Sequence, residues 1–88
     1  MSLQTGASTM MFEATIAGES EAGNNILKDV QAENGMHRQH IWLDARYRGH
    51  FSQPMKGLRV QILGRYRRYR AGPDGWTIEK IRSVEVMP

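Results

Sequence analysis

One stretch decides more than any other what this chain can fold into. From Leu58 to Arg70 the residues alternate: Leu58, Val60, Ile62, Gly64 and Tyr66 share one face, and Arg59, Gln61, Leu63, Arg65, Arg67 and Tyr69 the other. A period of two belongs to an extended strand with one buried face; a helix would scatter these residues around its circumference. Ala71-Gly72-Pro73-Asp74-Gly75 then reads as a turn, because proline presets one backbone angle and glycine admits positive φ. Trp76 to Val86 is predicted as a second long strand, paired with the first in a hairpin. Its apolar residues slip in phase: Trp76, Ile78, Val84 and Val86 share a face and Ile81 does not. A bulge or bend near Lys80 to Ser83 would account for the slip.

The rest of the chain offers shorter strands. Met11 to Ala17 places Phe12, Ala14 and Ile16 opposite Glu13 and Thr15. Gly18 to Asn24 is a polar connection. Asn25 to Glu33 lacks a long helical stripe and is followed by Gly35, so we read it as a strand. Arg38 to Asp44 holds His40, Ile41, Trp42 and Leu43, a short apolar run suited to a central strand. Tyr47 to Gly57, punctuated by Gly49, Pro54 and Gly57, reads as a loop. The opening Met1-Ser2-Leu3 looks like an added leader and Gln4 to Thr9 is small and polar. We therefore expect a disordered segment over 1–10 and a single domain over 11–88.

The 88 residues suffice for one domain and a modest core. With no cysteine there is neither a disulfide framework nor a thiolate metal site, which fits a cytoplasmic location. The apolar runs are far too short to span a bilayer as a helix, and no membrane partner is expected.

Five strands in this order, with a long fourth strand feeding a hairpin, point to an all-β fold: a small barrel, closed or partly open. Closure removes exposed edges, an aggregation hazard in a small sheet. The run His40-Ile41-Trp42-Leu43, then Lys56-Gly57-Leu58-Arg59-Val60-Gln61-Ile62, then Tyr66, Tyr69 and the strand ending at Val86, resembles the later strands of OB-fold proteins. It is similar to small phage and bacterial OB-like proteins in which a His-x-Trp strand precedes a Lys-Gly-x-x-Val strand and a tyrosine. The likeness covers about half the chain. Many OB-folds carry a helix between the third and fourth strands, whereas Arg46 to Met55 has room for little more than a turn; an SH3-like barrel is the alternative. The resemblance implies binding of single-stranded nucleic acid, or of an oligosaccharide, on the barrel face and its flanking loops.

Charge points the same way. Residues 1–35 carry one base against five acids, a net −4; residues 36–88 carry eleven bases against four acids, a net +7. Nine of the twelve bases are arginine, whose planar fork matches phosphate and stacks on flat rings. In Gly64 to Arg70, GRYRRYR, Tyr66 should point inward and Tyr69 outward with the arginines. Arg59, Arg65, Arg67 and Tyr69 are thus expected to form one nucleic-acid-binding surface with little base specificity, extended by Arg46, Arg48 and Arg82. Trp42 is a stacking platform if Ile41 and Leu43 face the core, and a core residue otherwise. Trp76 is expected to plug a barrel end.

Other chemistries find less to work with. His37, His40 and His50 fall short of the four ligands of a structural metal site, and three-residue spacing puts His37 and His40 on opposite faces of a strand. No nucleophile motif or carboxylate pair in an apolar setting appears, and Glu19 and Glu21 sit in a polar loop, so neither catalysis nor a cofactor is expected. The rival reading is an assembly module, a homo-oligomer in which the acidic half of one chain meets the basic half of another.

Overall fold

The computed structural model describes residues 9–19, 25–51, 55–68 and 75–88. It is all-β: β1 (Thr9–Glu19), β2 (Asn25–Ala32), β3 (His37–Leu43), a 3₁₀ helix (Ala45–His50), β4 (Arg59–Arg68) and β5 (Trp76–Val86). The five strands form one antiparallel sheet in the order β3-β2-β1-β4-β5. The sheet curls so that its two edges meet at one place, where Thr77 Oγ1 on β5 donates to the Trp42 carbonyl on β3 at 2.6 Å. The ladder itself does not close. The result is a small, partly open barrel of the OB-like or SH3-like kind.

The alternation read from the sequence sets the inside of that barrel. Phe12 and Ala14 of β1, Leu27 of β2, Ile41 and Leu43 of β3, Val60 and Ile62 of β4 and Ile78 of β5 have no exposed surface. Phe51 and Met55, from the β3–β4 connection, are also buried and pack on this core. Leu58 departs from the expected inward series: it precedes β4 and is 38% exposed. β1 starts at Thr9, which pairs with Arg65, two residues ahead of the expected boundary. Residues 1–8 of the expected leader lie outside the described residues.

Two irregularities place the functional side chains. In β5 the pairing jumps from Leu63↔Ser83 to Arg65↔Glu79, and Lys80 takes φ +50°. This is the bulge that the phase slip foretold; it turns Ile81 inward, and the Lys80 N–H donates to Tyr47 Oη at 2.6 Å. Gly64 sits opposite the bulge because nothing larger fits: a Cβ there would lie 2.6 Å from Ile78 Cγ2 and 3.1 Å from the Glu79 carbonyl. In β2 the pairing with β1 jumps between Thr15↔Lys28 and Glu13↔Gln31. Asp29 occupies that bulge at φ +51°, a left-handed conformation that Asp tolerates better than most residues.

Candidate nucleic-acid interface

The outward side of β4 is expected to carry one arginine surface, and the structure divides it in two. Arg59, at the start of β4, is half-buried and turned toward β1 and β2. Its Nη1 donates to Thr15 Oγ1 at 3.2 Å and to the Asp29 carbonyl at 2.8 Å, and stands 3.4 Å from Asp29 Oδ2. His37 Nε2 bonds the other carboxylate oxygen of Asp29 at 2.9 Å. Asp29's carboxyl is held below its ordinary 3.8, first by the His37 hydrogen bond and then by the charge of Arg59. Arg59 is therefore a tie between three strands, with its Nη1 donors already in use.

At the far end of β4, Arg65 and Arg67 are exposed on the face that carries Glu79 of β5. Arg67 pairs with Glu79, while Arg65 Nε lies 3.9 Å from the same carboxylate, so one acid serves two arginines. Arg46 adjoins this group across the seam. Asp44 Oδ1 accepts from the Arg46 N–H at 2.9 Å, and Arg46 Nε approaches it at 3.4 Å. The Arg46 backbone bond first, then its side chain and the charge of Arg67, hold Asp44 below its ordinary range. Asp44 in turn raises Arg46, with a smaller contribution from Glu79. The structure thus gathers Arg46, Arg65 and Arg67 around Asp44 and Glu79, three cations to two anions. Arg82 is exposed in the bulged part of β5, with no ion pair among the described residues. Tyr69 and the side chain of Arg48 lie outside the described residues.

Trp42 resolves toward the outside. Ile41 and Leu43 fill the core, so Trp42 projects to the other face of β3, half-buried, in register with Ile26; the next pair along that face is exposed Lys28 and His40. Its carbonyl, anchored by Thr77, puts it at the same seam as Arg46 and Arg67.

A second feature escaped the sequence reading. Tyr66 and Trp76 stack with ring centroids 4.3 Å apart and planes 8° off parallel, and Phe12 lies 6.0 Å beneath Tyr66. The Arg68 guanidinium lies 4.6 Å from the Trp76 ring centre. The Arg38 guanidinium is 5.7 Å from Trp76 and 5.9 Å from Tyr66. Neither arginine has an acidic partner among the described residues. The turn expected at 71–75 would set Arg70 opposite Trp76; the register instead pairs Arg68 with Trp76, and cross-strand partners interact. For Arg38, brought in from β3, no local signal exists.

Comparison of the chain with protein-family models, with curated proteins and with solved structures gives no match. No helix among the described residues is long and apolar enough to cross a membrane.

Proposed function

We propose that this domain is an OB-family module that binds single-stranded nucleic acid with little base specificity, acting by binding and not by catalysis. A cytoplasmic location goes with this reading. The observation that carries it is the Tyr66–Trp76 stack with Arg68 over its outer ring, set beside Arg65 and Arg67 on the same hairpin end. A phosphate is a strong acceptor that competes with Glu79 for two exposed guanidiniums. Arg38 and Arg68 have no acid among the described residues to give up. The guanidinium planes held on these rings can stack on any base, giving affinity without sequence preference. Trp42, with Lys28 and His40 alongside, extends the surface along the outer side of β2 and β3.

The test is fluorescence anisotropy with a labelled oligothymidylate at low and high salt. Counterion release makes affinity fall steeply with salt, with a log–log slope of roughly −0.7 per phosphate contacted on a single strand. Absence of binding at low salt overturns the proposal. The assembly reading has one observation in its favour: Leu58 and Val86 are 38% and 51% exposed at the same end of the β4–β5 ladder, beside an open sheet edge. Light scattering that shows an oligomer, together with no affinity for oligonucleotides, would favour it.

A further inference from the structure

At one end of the barrel, away from the aromatic stack, lies a cavity of about 240 Å³ between the end of β1, the start of β2 and the β3–β4 connection. Ile16, Phe51 and Met55 make its apolar walls, all three buried. Lys56 stands exposed at its edge, its Cε near Gly18, and Glu19, itself engaged, stands opposite. Asn25 lines the cavity with only 3% of its surface exposed, and its Nδ2 has no hydrogen-bond partner among the described residues. A buried amide donor left unpaired costs stability and is uncommon in folded proteins, so it needs a reason. Buried polar groups that converge on a cavity are where ligand specificity is written.

We infer that this cavity takes a single nucleobase with its phosphate, held by the Asn25 amide and Lys56, an inference that rests on the nucleic-acid reading above. An asparagine amide offers a donor and an acceptor side by side, matching the donor–acceptor pairs along a base edge. The walls suit the apolar faces of one ring, and the cavity is smaller than the range of about 300–1,000 Å³ typical of larger ligands. The Lys56 ammonium, a mobile point charge, suits the attached phosphate. The position follows from register. Asn25 pairs with Leu43 and its neighbour Ile26 with Trp42, so the cavity opens one residue beyond the Trp42 row. A strand laid across Arg67 and Trp42 has its next nucleotide at the barrel end. The arginine face binds without preference for sequence; the cavity adds preference at one position.

The free protein, ¹⁵N-labelled, is titrated with each of the four nucleoside 5′-monophosphates and with ribose 5-phosphate, following the Asn25 side-chain amide resonances. At least one mononucleotide shifts them saturably, and ribose 5-phosphate does not. Asn25→Leu, confirmed folded by its backbone spectrum, loses the saturable shifts that the same mononucleotide causes in the backbone amides of the cavity residues Gly18 and Met55 of the parent; Lys56→Ala, an exposed change that spares the fold, weakens mononucleotide binding about fivefold. In oligonucleotides differing at one position, Asn25→Leu levels an affinity preference of about tenfold. If no mononucleotide moves the Asn25 resonances, or ribose 5-phosphate moves them equally, the cavity is not a base site. Oligonucleotides that still bind in that case leave the arginine surface standing. A responsive Asn25 with no oligonucleotide binding keeps the cavity as a mononucleotide site and removes the surface proposal.

Discussion

The two ends of β4 carry arginine on the same face of the strand and have been put to different uses. Arg59 faces β1 and β2, where a bulge swings Asp29 toward it, and three acceptors engage its Nη1. Arg65 and Arg67 face β5, whose Glu79 serves both, and beyond them Arg68 and Arg38 lie on rings with no acidic partner among the described residues. A pattern of alternation says which side of a strand an arginine takes. Whether that arginine is structural or available is decided by the neighbouring strand, through register and bulges.

The sharpest way to break this contrast is to remove the geometry that makes the hairpin end. Gly64→Ala drives a methyl into Ile78 and the Glu79 carbonyl, both on β5 and both fixed by burial or pairing. Overpacking of that kind costs about 2–3 kcal/mol, and chemical denaturation should show it. An unchanged midpoint would mean that β5 is free to shift and that its bulge does not fix the arginines. Next in size, Arg65→Glu with Arg67→Glu should weaken oligonucleotide binding about 100-fold or more, with a shallower salt slope and an intact fold. Retained affinity would move the interface elsewhere.

The sequence made the barrel legible because each strand's apolar residues recur with period two, and burial on one face is what that period means. It also made the β5 bulge legible, since Ile81 falls out of phase with its neighbours and burial demands that it turn back. The β2 bulge left only an ambiguous trace, since Ile26, Val30 and Ala32 share a phase that needs no bulge. Val30 sits where alternation from Leu27 places an outward residue, and only Asp29's positive φ restores it to the core. That bulge separates Arg59 from Arg65 and Arg67: the acid that claims it comes from a strand thirty residues earlier. Likewise Trp42 remained open until its neighbours' burial was known, because Ile41, Trp42 and Leu43 are all apolar and the run has no polar face to orient it.

The contrast is sharpened from the other side by Arg59→Ala. It removes bonds to Thr15 and to the Asp29 carbonyl, partly shielded from water, so stability should fall by about 1 kcal/mol. Oligonucleotide affinity should stay within about twofold of the parent, because a guanidinium turned toward Thr15 and Asp29 contributes little to a phosphate contact. A loss of affinity as large as that from the hairpin pair would erase the distinction between the two ends.

The smallest effect tests whether the Asp29 cluster is electrostatic or only geometric. Its carboxyl is held below 3.8 by His37 first and Arg59 second, so the folded protein releases this proton more readily than the unfolded chain does. The resulting stabilisation is complete above 3.8 and drains away as pH falls through the lowered folded value. Both side chains are partly open to water, at 57% for Asp29 and 28% for Arg59, and solvent screening keeps the contribution small. Asp29→Asn suits the test, since asparagine tolerates the same positive φ and its backbone carbonyl still accepts from Arg59. Thermal midpoints followed into acid should fall less steeply for the variant than for the parent below 3.8 and run parallel to them above it. Identical acid limbs would leave Arg59 held by the backbone and Thr15 alone, and would make the bulge, not the charge, the reason this end of β4 is closed to a ligand.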